Sequence, residues 1–317
     1  MSPVLFHLAA YAVSFGILWY GAKLVTTSVT RLAKLWKLPL FTISFFVLGL
    51  LTSLPELSIG VSAVFNDDPA IYAGNLLGGV IVMFLLVIPL LALLGNGLKM
   101  PKHLKQNQII LTLIVALVPS LLTADQKINV WEGVVMVLTY FTLFLFLPKE
   151  KSMLEKVSSS FTKYKVDIFK TFLKIGVGVV LLVIASSQVV QSTLFFGSFF
   201  TISPFFISLL IVSLGTNIPE LAIIVRSVFE KKSELAFADY LGSASANTLL
   251  FGLMTLMYGK TVVLPNHFLQ RFVFLSLGLM LFYIFARSKN MISRRESALL
   301  LLCYLAFVLF EAFVILD

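Results

Sequence analysis

Residues 52–56 read Thr-Ser-Leu-Pro-Glu, and residues 216–220 read Thr-Asn-Ile-Pro-Glu. The two stretches are 164 residues apart, and the alignment extends without a gap as far as Gly78 and Gly242. Apolar matches between two membrane segments arise easily by chance, whereas a shared Thr-x-x-Pro-Glu in register with a distant glycine does not. The sequence therefore predicts an internal repeat.

The apolar residues of the chain arrive in blocks rather than in amphipathic stripes. The chain has 317 residues, of which 59% are hydrophobic and 12% charged. A transmembrane helix needs about 20 apolar residues. We therefore predict an all-α polytopic membrane protein with ten transmembrane helices, centred near Tyr11, Gly49, Met83, Val115, Leu138, Val180, Leu209, Leu249, Leu279 and Leu305.

The repeat divides these ten helices into two halves of five. Because five is an odd number, the second half starts on the opposite side of the membrane, so the two repeats are inverted. We predict a first five-helix repeat at residues 1–148, a cytoplasmic linker at 149–167 and a second, inverted five-helix repeat at 168–317. In this arrangement the two Pro-Glu pairs interrupt their helices near the membrane midplane.

The basic residues are distributed unevenly between the connections. Of the 24 lysines and arginines, all but Lys127, Lys260 and Arg271 lie in the odd-numbered connections. Basic loops stay in the cytoplasm, so the pattern predicts a multi-pass protein of the plasma or inner membrane with both termini outside. The net charge of +9 is thus a topology signal. We expect the lipid bilayer as a partner and no nucleic acid.

The prolines predict two broken helices. Proline lacks a backbone N–H and clashes with the carbonyl four residues earlier. Pro55 should free the carbonyl of Leu51, and Pro219 that of Gly215. Broken helices survive in a membrane where the freed groups find partners or line a cavity. The polar residues that each break gathers are Thr52, Ser53 and Glu56 in the first half and Thr216, Asn217 and Glu220 in the second.

A carboxylate in the middle of a membrane is costly unless a cation or a proton neutralises it. Oxygen-only ligands suit hard ions such as calcium and sodium. Ser243 and Asn247 share one helical face and are expected to complete the set where the eighth helix packs against the seventh. Asp239 is a candidate ion ligand, a proton-titrating group or a residue near the membrane edge. No cofactor is expected besides the transported calcium and sodium ions.

Structural roles are open for the same residues. A single Pro-Glu pair could be a kink in which a protonated glutamate bonds to a neighbouring carbonyl, although two copies at matched positions favour an ion site. Ser243 and Asn247 could also hold helices together through hydrogen bonds.

These motifs resemble the sodium/calcium exchanger branch of the cation/calcium antiporter superfamily. The marks are residues 52–56, residues 215–220, and the Ala-Gly-Asn at 73–75 and Gly-Ser at 242–243 that follow them. The resemblance implies two inverted five-helix repeats and electrogenic exchange of sodium for calcium by alternating access. It implies that Glu56 and Glu220 are the central acidic ligands, with the cage completed by Thr52, Ser53, Thr216, Ser243 and Asn247.

The chain departs from the family pattern mainly in the first repeat. Gly79 replaces a small polar residue, and Met83 replaces an amide or acid. Leu51 replaces a glycine, Asn217 stands where a serine is common, and Asp239 replaces an asparagine. The first half has lost two side-chain oxygens that the second half keeps.

The function that follows is secondary active exchange of calcium for sodium or protons at a site with two glutamates. The alternatives are a divergent member with altered ion selectivity or with proton coupling through Asp239, and a transport-inactive membrane partner. An enzyme is not expected, because the histidines His7, His103 and His267 are far apart in the chain and suggest no catalytic set.

Overall fold

The structure, a computed structural model, describes residues 2–35, 49–99, 106–146, 168–218, 220–221, 233–265, 268–288 and 291–316. These residues are almost entirely helical, and each of the ten predicted helix centres lies in a helical segment. Two short ribbons of two strands each are the exceptions to the all-α prediction.

The first half contains one helix of 33 residues and several shorter pieces. Its segments are α1 (Pro3–Leu35), α2 (Gly49–Thr52), α3 (Leu54–Phe65), α4 (Pro69–Val82), the π-helical turn π1 (Met83–Val87), α5 (Ile88–Leu94), β1 (Leu98–Lys99), α6 (Gln106–Leu122), β2 (Lys127–Ile128) and α7 (Val130–Phe146).

The second half follows the same plan. Its segments are α8 (Ile168–Phe200), α9 (Pro204–Ile207), the π-helical turn π2 (Ser208–Val212), α10 (Ser213–Thr216), α11 (Ser233–Tyr258), β3 (Val262–Val263), α12 (Phe268–Arg287), β4 (Met291–Ile292) and α13 (Arg294–Leu316).

Five of the described segments are long and apolar enough to cross a membrane. They are Pro3–Ser28, Pro69–Leu94, Phe169–Phe200, Leu269–Arg287 and Arg294–Ile315. Shorter apolar helices occupy Leu54–Phe65, Asn107–Leu122, Val130–Leu143 and Pro204–Thr216. The segment Pro69–Leu94 is the one most enclosed by protein, so it forms the centre of the bundle.

At two glycines, the backbone of this central segment packs directly against the backbone of the second half. A Cβ atom on Gly74 would overlap the carbonyl oxygen of Phe205, and one on Gly78 would overlap that of Leu209. Small residues four positions apart allow the backbones of membrane helices to touch in this way. The crossing brings residues 74–79 of the first half against residues 205–217 of the second.

The long helices α1 and α8 also meet at glycines. A Cβ on Gly21 would lie 3.0 Å from the carbonyl oxygen of Gly178, and a Cβ on Gly178 would lie 2.9 Å from that of Gly21. About three to four helical turns from these glycines, Tyr11 hydrogen-bonds Thr193 and the imidazole of His7 hydrogen-bonds Ser192. One helix of each half is therefore held against the other by both close packing and polar contacts.

The loops are tied together in pairs. β1 pairs with β4, and β2 pairs with β3, in antiparallel ribbons. An exposed ion pair at 3.2 Å also joins Asp67, after α3, to Lys260, after α11. Each tie links a loop of the first half to a loop of the second.

Arg271, predicted in a connection, lies instead inside α12 and is only 8% exposed. Its Nε donates to Glu311 Oε1 at 2.8 Å, and Glu311 is fully buried in α13. The guanidinium carbon also lies 4.9 Å from the ring centres of Phe205 and Phe206. The arginine is tolerated here because a carboxylate and two aromatic faces replace its water.

Removing one member of this pair should be much worse than removing both. We expect Glu311→Gln to lower the free energy of unfolding by about 3–5 kcal/mol, because it leaves a buried charge without its counter-ion. The double variant Arg271→Met, Glu311→Leu should recover most of that loss. Thermal unfolding in detergent measures both variants, and equal losses for the single and double variants would contradict the prediction.

Candidate functional site

Two helix breaks occur at matched positions of the repeat. Ser53, between α2 and α3, has φ −85° and ψ 17°. Asn217, which follows α10 and is its equivalent after the 164-residue shift, has φ −88° and ψ 7°. The Leu57 N–H donates to the Ser53 carbonyl at 3.0 Å, and the Leu221 N–H to the Asn217 carbonyl at 3.1 Å. The two breaks therefore have the same local backbone conformation.

The position of the first break follows from the proline. Pro55 lies in the first turn of α3, where a missing N–H costs nothing because the first helical donors are unpaired in any case. The helix therefore restarts just before Pro55, and Ser53 becomes the turn between the two pieces. Pro219, the second proline, lies outside the described residues.

The carbonyl freed at the first break has a protein donor. The Thr26 hydroxyl of α1 donates to the Leu51 carbonyl oxygen at 3.2 Å. A carbonyl oxygen has two lone pairs, so Leu51 retains one acceptor position. The sequence did not predict this contact, because nothing in the apolar pattern of α1 places Thr26 beside the break.

Both glutamates are buried. Glu56 is 3% exposed and Glu220 is 1% exposed. The Thr216 hydroxyl interacts with the Glu56 carboxylate, whereas the Oε2 of Glu56 is buried without a hydrogen-bond partner among the described residues. Thr216 lies one helical turn before Glu220, so the carboxylate of the first half contacts the break of the second half.

A buried carboxylate oxygen without a donor is costly. A proton or a cation would remove the uncompensated charge. Glu56 therefore presents a free acceptor at the place where the halves meet.

Further contacts across the two halves surround Glu56. The Thr216 hydroxyl lies 3.3 Å from the Oδ1 of Asn75, which is fully buried in α4. The hydroxyls of Ser53 and Ser243 lie 3.2 Å apart. Each break is thus contacted by the helix that follows the break in the opposite half.

Two asparagine side chains occupy the equivalent place beside the second break. The Asn217 Nδ2 donates to the Ser213 carbonyl at 2.7 Å. A Cβ on Gly79 would lie 2.7 Å from the Asn247 Nδ2 and 3.6 Å from the Asn217 Nδ2. Within the described part of the chain, the Asn247 Oδ1 is buried without a hydrogen-bond partner, so it is a second open acceptor there.

The structure joins most of the predicted site residues through direct contacts or adjacent turns. Buried side chains are Ser53, Glu56, Thr216, Asn217, Glu220, Ser243 and Asn247, while Thr52 is partly buried beside them. The backbone of Asp239 belongs to α11, but its side chain lies outside the described part, so its role stays a prediction.

Ser243 and Asn247 both face the first half: the Ser243 hydroxyl lies 3.2 Å from that of Ser53, and Asn247 lies over Gly79. Both residues were expected where the eighth helix packs against the seventh. That expectation stays a prediction, because residues 222–232 of the seventh helix lie outside the described part of the chain. Tyr240 of α11 does contact the seventh helix, since its hydroxyl donates to the Glu220 backbone carbonyl at 3.1 Å.

Asn75 is the main residue that the sequence did not predict as a site residue. It belongs to the quoted Ala-Gly-Asn motif, and the 164-residue shift matches it with Asp239. Because Asp239 was already a candidate, the repeat itself contained the signal for Asn75.

The ligand types at this site define the ions that it could hold. Within the described residues, no group of three or more His, Cys, Asp or Glu side chains could hold a metal ion. The candidate ligands are hydroxyl, amide and carboxylate oxygens, which suit hard cations such as calcium and sodium rather than transition metals.

A helical membrane bundle that buries carboxylates at two broken helices has the construction of a secondary transporter rather than of an enzyme. The chain belongs to the sodium/calcium exchanger family, whose model, described as "Sodium/calcium exchanger protein", matches residues 6–148 and 170–313. The match covers most of the chain in two segments.

Named relatives span most of the chain. The sodium/calcium exchanger MaX1 of Methanosarcina acetivorans is 23% identical over 91% of this chain and 93% of its own length. The inner membrane protein YrbG of Escherichia coli is 22% identical over 73% of each chain.

Solved structures agree on the fold. The H+/Ca2+ exchanger CAX is 14% identical and superposes with a TM-score of 0.78 over 98% of this chain and 84% of its own. The sodium-calcium exchanger NCX_Mj, soaked with sodium and strontium ions, is 20% identical, with a TM-score of 0.65 over 96% of this chain and 98% of its own. These solved structures show the fold, and the family match confirms the resemblance of the motifs.

Proposed function

We propose that this protein is a secondary active cation antiporter that exchanges calcium for sodium or protons by alternating access. The observation that carries the proposal is Glu56, a buried carboxylate of the first half with one open oxygen, which contacts Thr216 at the break of the second half. A site shared between two halves is where alternating access needs it, because relative movement of the halves can expose it to either side.

The fold proposed for this function has ten membrane helices in two inverted five-helix repeats. Residues 1–148 and 168–317 are the repeats, and residues 149–167 are the cytoplasmic linker. Support comes from the matched backbone angles at Ser53 and Asn217 and from the two segments of the family match.

The proposed topology places the odd-numbered loops in the cytoplasm and both termini outside. Counted along the ten predicted transmembrane helices, β1 follows the third and β4 the ninth, whereas β2 follows the fourth and β3 the eighth. Each ribbon therefore pairs two loops on the same side of the membrane, as this order of helices requires. The excess of lysine and arginine in the odd-numbered loops then predicts which side of the membrane those loops face.

The proposed ion ligands are the two glutamates with the surrounding hydroxyls and amides. Glu56 and Glu220 supply the charge, and neutral oxygens come from Thr52, Ser53, Thr216, Asn217, Ser243 and Asn247. Asp239 stays a predicted ligand or proton carrier. Related proteins named for Na+/Ca2+ and for H+/Ca2+ exchange support calcium as one cargo and leave sodium and protons as counter-ions to be compared.

Exchange rather than leak follows from electrostatics. An empty site with two carboxylates would carry two negative charges through a low-dielectric interior, which is far more costly than a loaded, neutral one. The protein should therefore reorient only when cations or protons occupy the site, so that one cargo leaves as another enters.

Ion flux into proteoliposomes tests the proposal. We expect calcium uptake by the purified full chain to need an outward gradient of sodium or of protons and to stay at the level of protein-free vesicles with a potassium gradient alone. Uptake that is absent under every gradient, or that proceeds equally without one, would reject antiport.

A further inference from the structure

The first break depends on a hydrogen bond from another helix. Pro55 has no N–H, so the Leu51 carbonyl lacks the helical donor that would lie four residues later. The hydroxyl of Thr26, in α1, donates to this carbonyl at 3.2 Å. The 164-residue shift matches Thr26 with Val190 of α8, whose side chain has no hydroxyl. The repeat therefore provides no equivalent donor at that position of α8.

The direction of the Thr26 side chain differs from that of its neighbour. A threonine hydroxyl inside a helix commonly bonds to a carbonyl of its own preceding turn. Thr27 does so, since its hydroxyl donates to the Lys23 carbonyl at 2.7 Å and its side chain is exposed. The Thr26 hydroxyl reaches out of its helix to Leu51 of α2. Thr27 is therefore a matched control for Thr26.

The helix that carries Thr26 also rests on the second break. A Cβ on Gly215 would overlap the ring of Phe15 in α1, and Gly215 is the residue that the shift matches with Leu51. Thr26 and Phe15 are about three helical turns apart on α1. One helix thus contacts the equivalent position of both breaks, through a hydroxyl at the first and an aromatic ring at the second.

The Leu51 carbonyl is close in the chain to side chains of the proposed ion site. Ser53 forms the turn between α2 and α3, and its hydroxyl lies 3.2 Å from that of Ser243. The carboxylate of Glu56, in the first turn of α3, contacts Thr216. A change in the angle between α2 and α3 would move these side chains relative to the second half. The hydrogen bond from α1 opposes such a change, because it holds α2 in place.

We propose that Thr26 is a positioning residue of the ion site, whose hydrogen bond to the Leu51 carbonyl holds the first break in the shape in which Ser53 and Glu56 face the second half. This inference rests on the antiporter proposal above. When only a fraction of the molecules has the binding-competent shape, the apparent affinity for a ligand falls by that fraction. Thr26 thus raises the affinity for the cation through the break, without contacting the cation.

Removal of the Thr26 hydroxyl tests the inference. Thr26→Val keeps the branched shape of the side chain and removes its donor. One neutral hydrogen bond corresponds to a factor of about five in an equilibrium constant. In proteoliposomes of the full chain, we therefore expect the calcium concentration for half-maximal uptake to rise about fivefold, while the maximal rate stays within about twofold of the parent rate.

Two further variants control for changes in shape and in α1 itself. Thr26→Ser keeps the hydroxyl, so it should restore the half-saturating calcium concentration of the unmodified chain. Thr27→Val makes the same change as Thr26→Val at the exposed neighbouring position. It should leave both the half-saturating concentration and the maximal rate unchanged.

Binding can be measured without transport. Calcium-dependent thermal stabilisation of the detergent-solubilised full chain gives the calcium concentration for half of the stabilisation. This concentration should rise by the same factor in Thr26→Val and return to the parent value in Thr26→Ser. Each variant is compared with and without calcium, so a lower unfolding temperature of the variant itself does not enter. If the valine variant does not fold, Thr26→Ala removes the same hydroxyl and provides the comparison.

The outcomes separate positioning from a structural role and from the antiporter proposal. A lower unfolding temperature in Thr26→Val with an unchanged half-saturating calcium concentration would overturn the inference and leave Thr26 a structural residue. A fall in the maximal rate alone, or a serine variant that behaves like the valine variant, would also overturn it. In these cases calcium uptake by the unmodified chain leaves antiport intact. An unmodified chain that neither binds nor transports calcium would overturn both proposals.

Discussion

Replacing either central glutamate by glutamine should abolish divalent cation exchange. We expect calcium uptake to fall at least about 100-fold in both Glu56→Gln and Glu220→Gln, a loss of roughly 2.7 kcal/mol in binding or in its barrier. The amide preserves the shape of the side chain but removes a full charge from a buried place, where charge interactions are far stronger than in water. Uptake of radioactive calcium by proteoliposomes measures the effect.

The thermal stability of both glutamine variants should not fall along with their calcium uptake. Because an ionised carboxylate is costly in a membrane interior and an amide is less so, each variant should unfold at the same temperature as the parent or at a higher one. Glu132→Gln is the matched control, since Glu132 is partly exposed in the first turn of α7 and accepts a hydrogen bond from the Asn129 N–H. If Glu56→Gln retains more than about a third of the parent uptake, the two-glutamate site is wrong.

Loss of uptake together with a lower unfolding temperature would have a different meaning. It would indicate that Glu56 or Glu220 holds the breaks together rather than a cation. Measuring uptake and unfolding on the same preparation therefore distinguishes an ion ligand from a structural residue.

The sequence was informative where one chemical rule dominates. A proline in an apolar helix must break the hydrogen-bond ladder, so the break near Pro55 could be placed before any coordinates, and the structure puts it at Ser53. The burial of Glu56 and Glu220 followed from their position in the middle of apolar blocks. Blocks of about 20 apolar residues likewise predicted where helices would occur.

Contacts between distant helices were harder to predict. Nothing in the sequence matches Thr26 with the Leu51 carbonyl, because that contact depends on how α1 packs against the first break. Arg271 was assigned to a connection on charge alone, and only its neighbours Glu311 and Phe205 explain why it is buried. Such pairs depend on the crossing angles of helices, which apolar periodicity does not determine.

The repeat contained more information than the motifs themselves. Asn75 could have been proposed from its match to Asp239, and the structure places it against Thr216. The loss of a side chain at Gly79 was visible in the sequence, but its consequence was not. Only the structure shows the Asn247 amide in the space that a side chain would occupy.

The glycine crossing should be intolerant of a single methyl group. A Cβ on Gly78 would overlap the Leu209 carbonyl oxygen and lie 2.7 Å from the Ser213 Oγ. A backbone carbonyl cannot move aside as a flexible side chain can, so the helices must separate. We expect Gly78→Ala to lower the free energy of unfolding by about 3 kcal/mol or more, at the upper end of overpacking costs. Thermal unfolding in detergent measures the change.

A glycine-to-alanine change at a position without close contacts should not lower the free energy of unfolding. Nothing lies within 4 Å of a Cβ on Gly176, which is on an exposed face of α8. Alanine is favoured over glycine in a helix by about 1 kcal/mol, so Gly176→Ala should leave stability unchanged or raise it. If Gly78→Ala and Gly176→Ala behave alike, the two halves do not touch at Gly78. The contact between Asn75 and Thr216, one turn away, would then lose its structural basis, because that contact requires the same close approach.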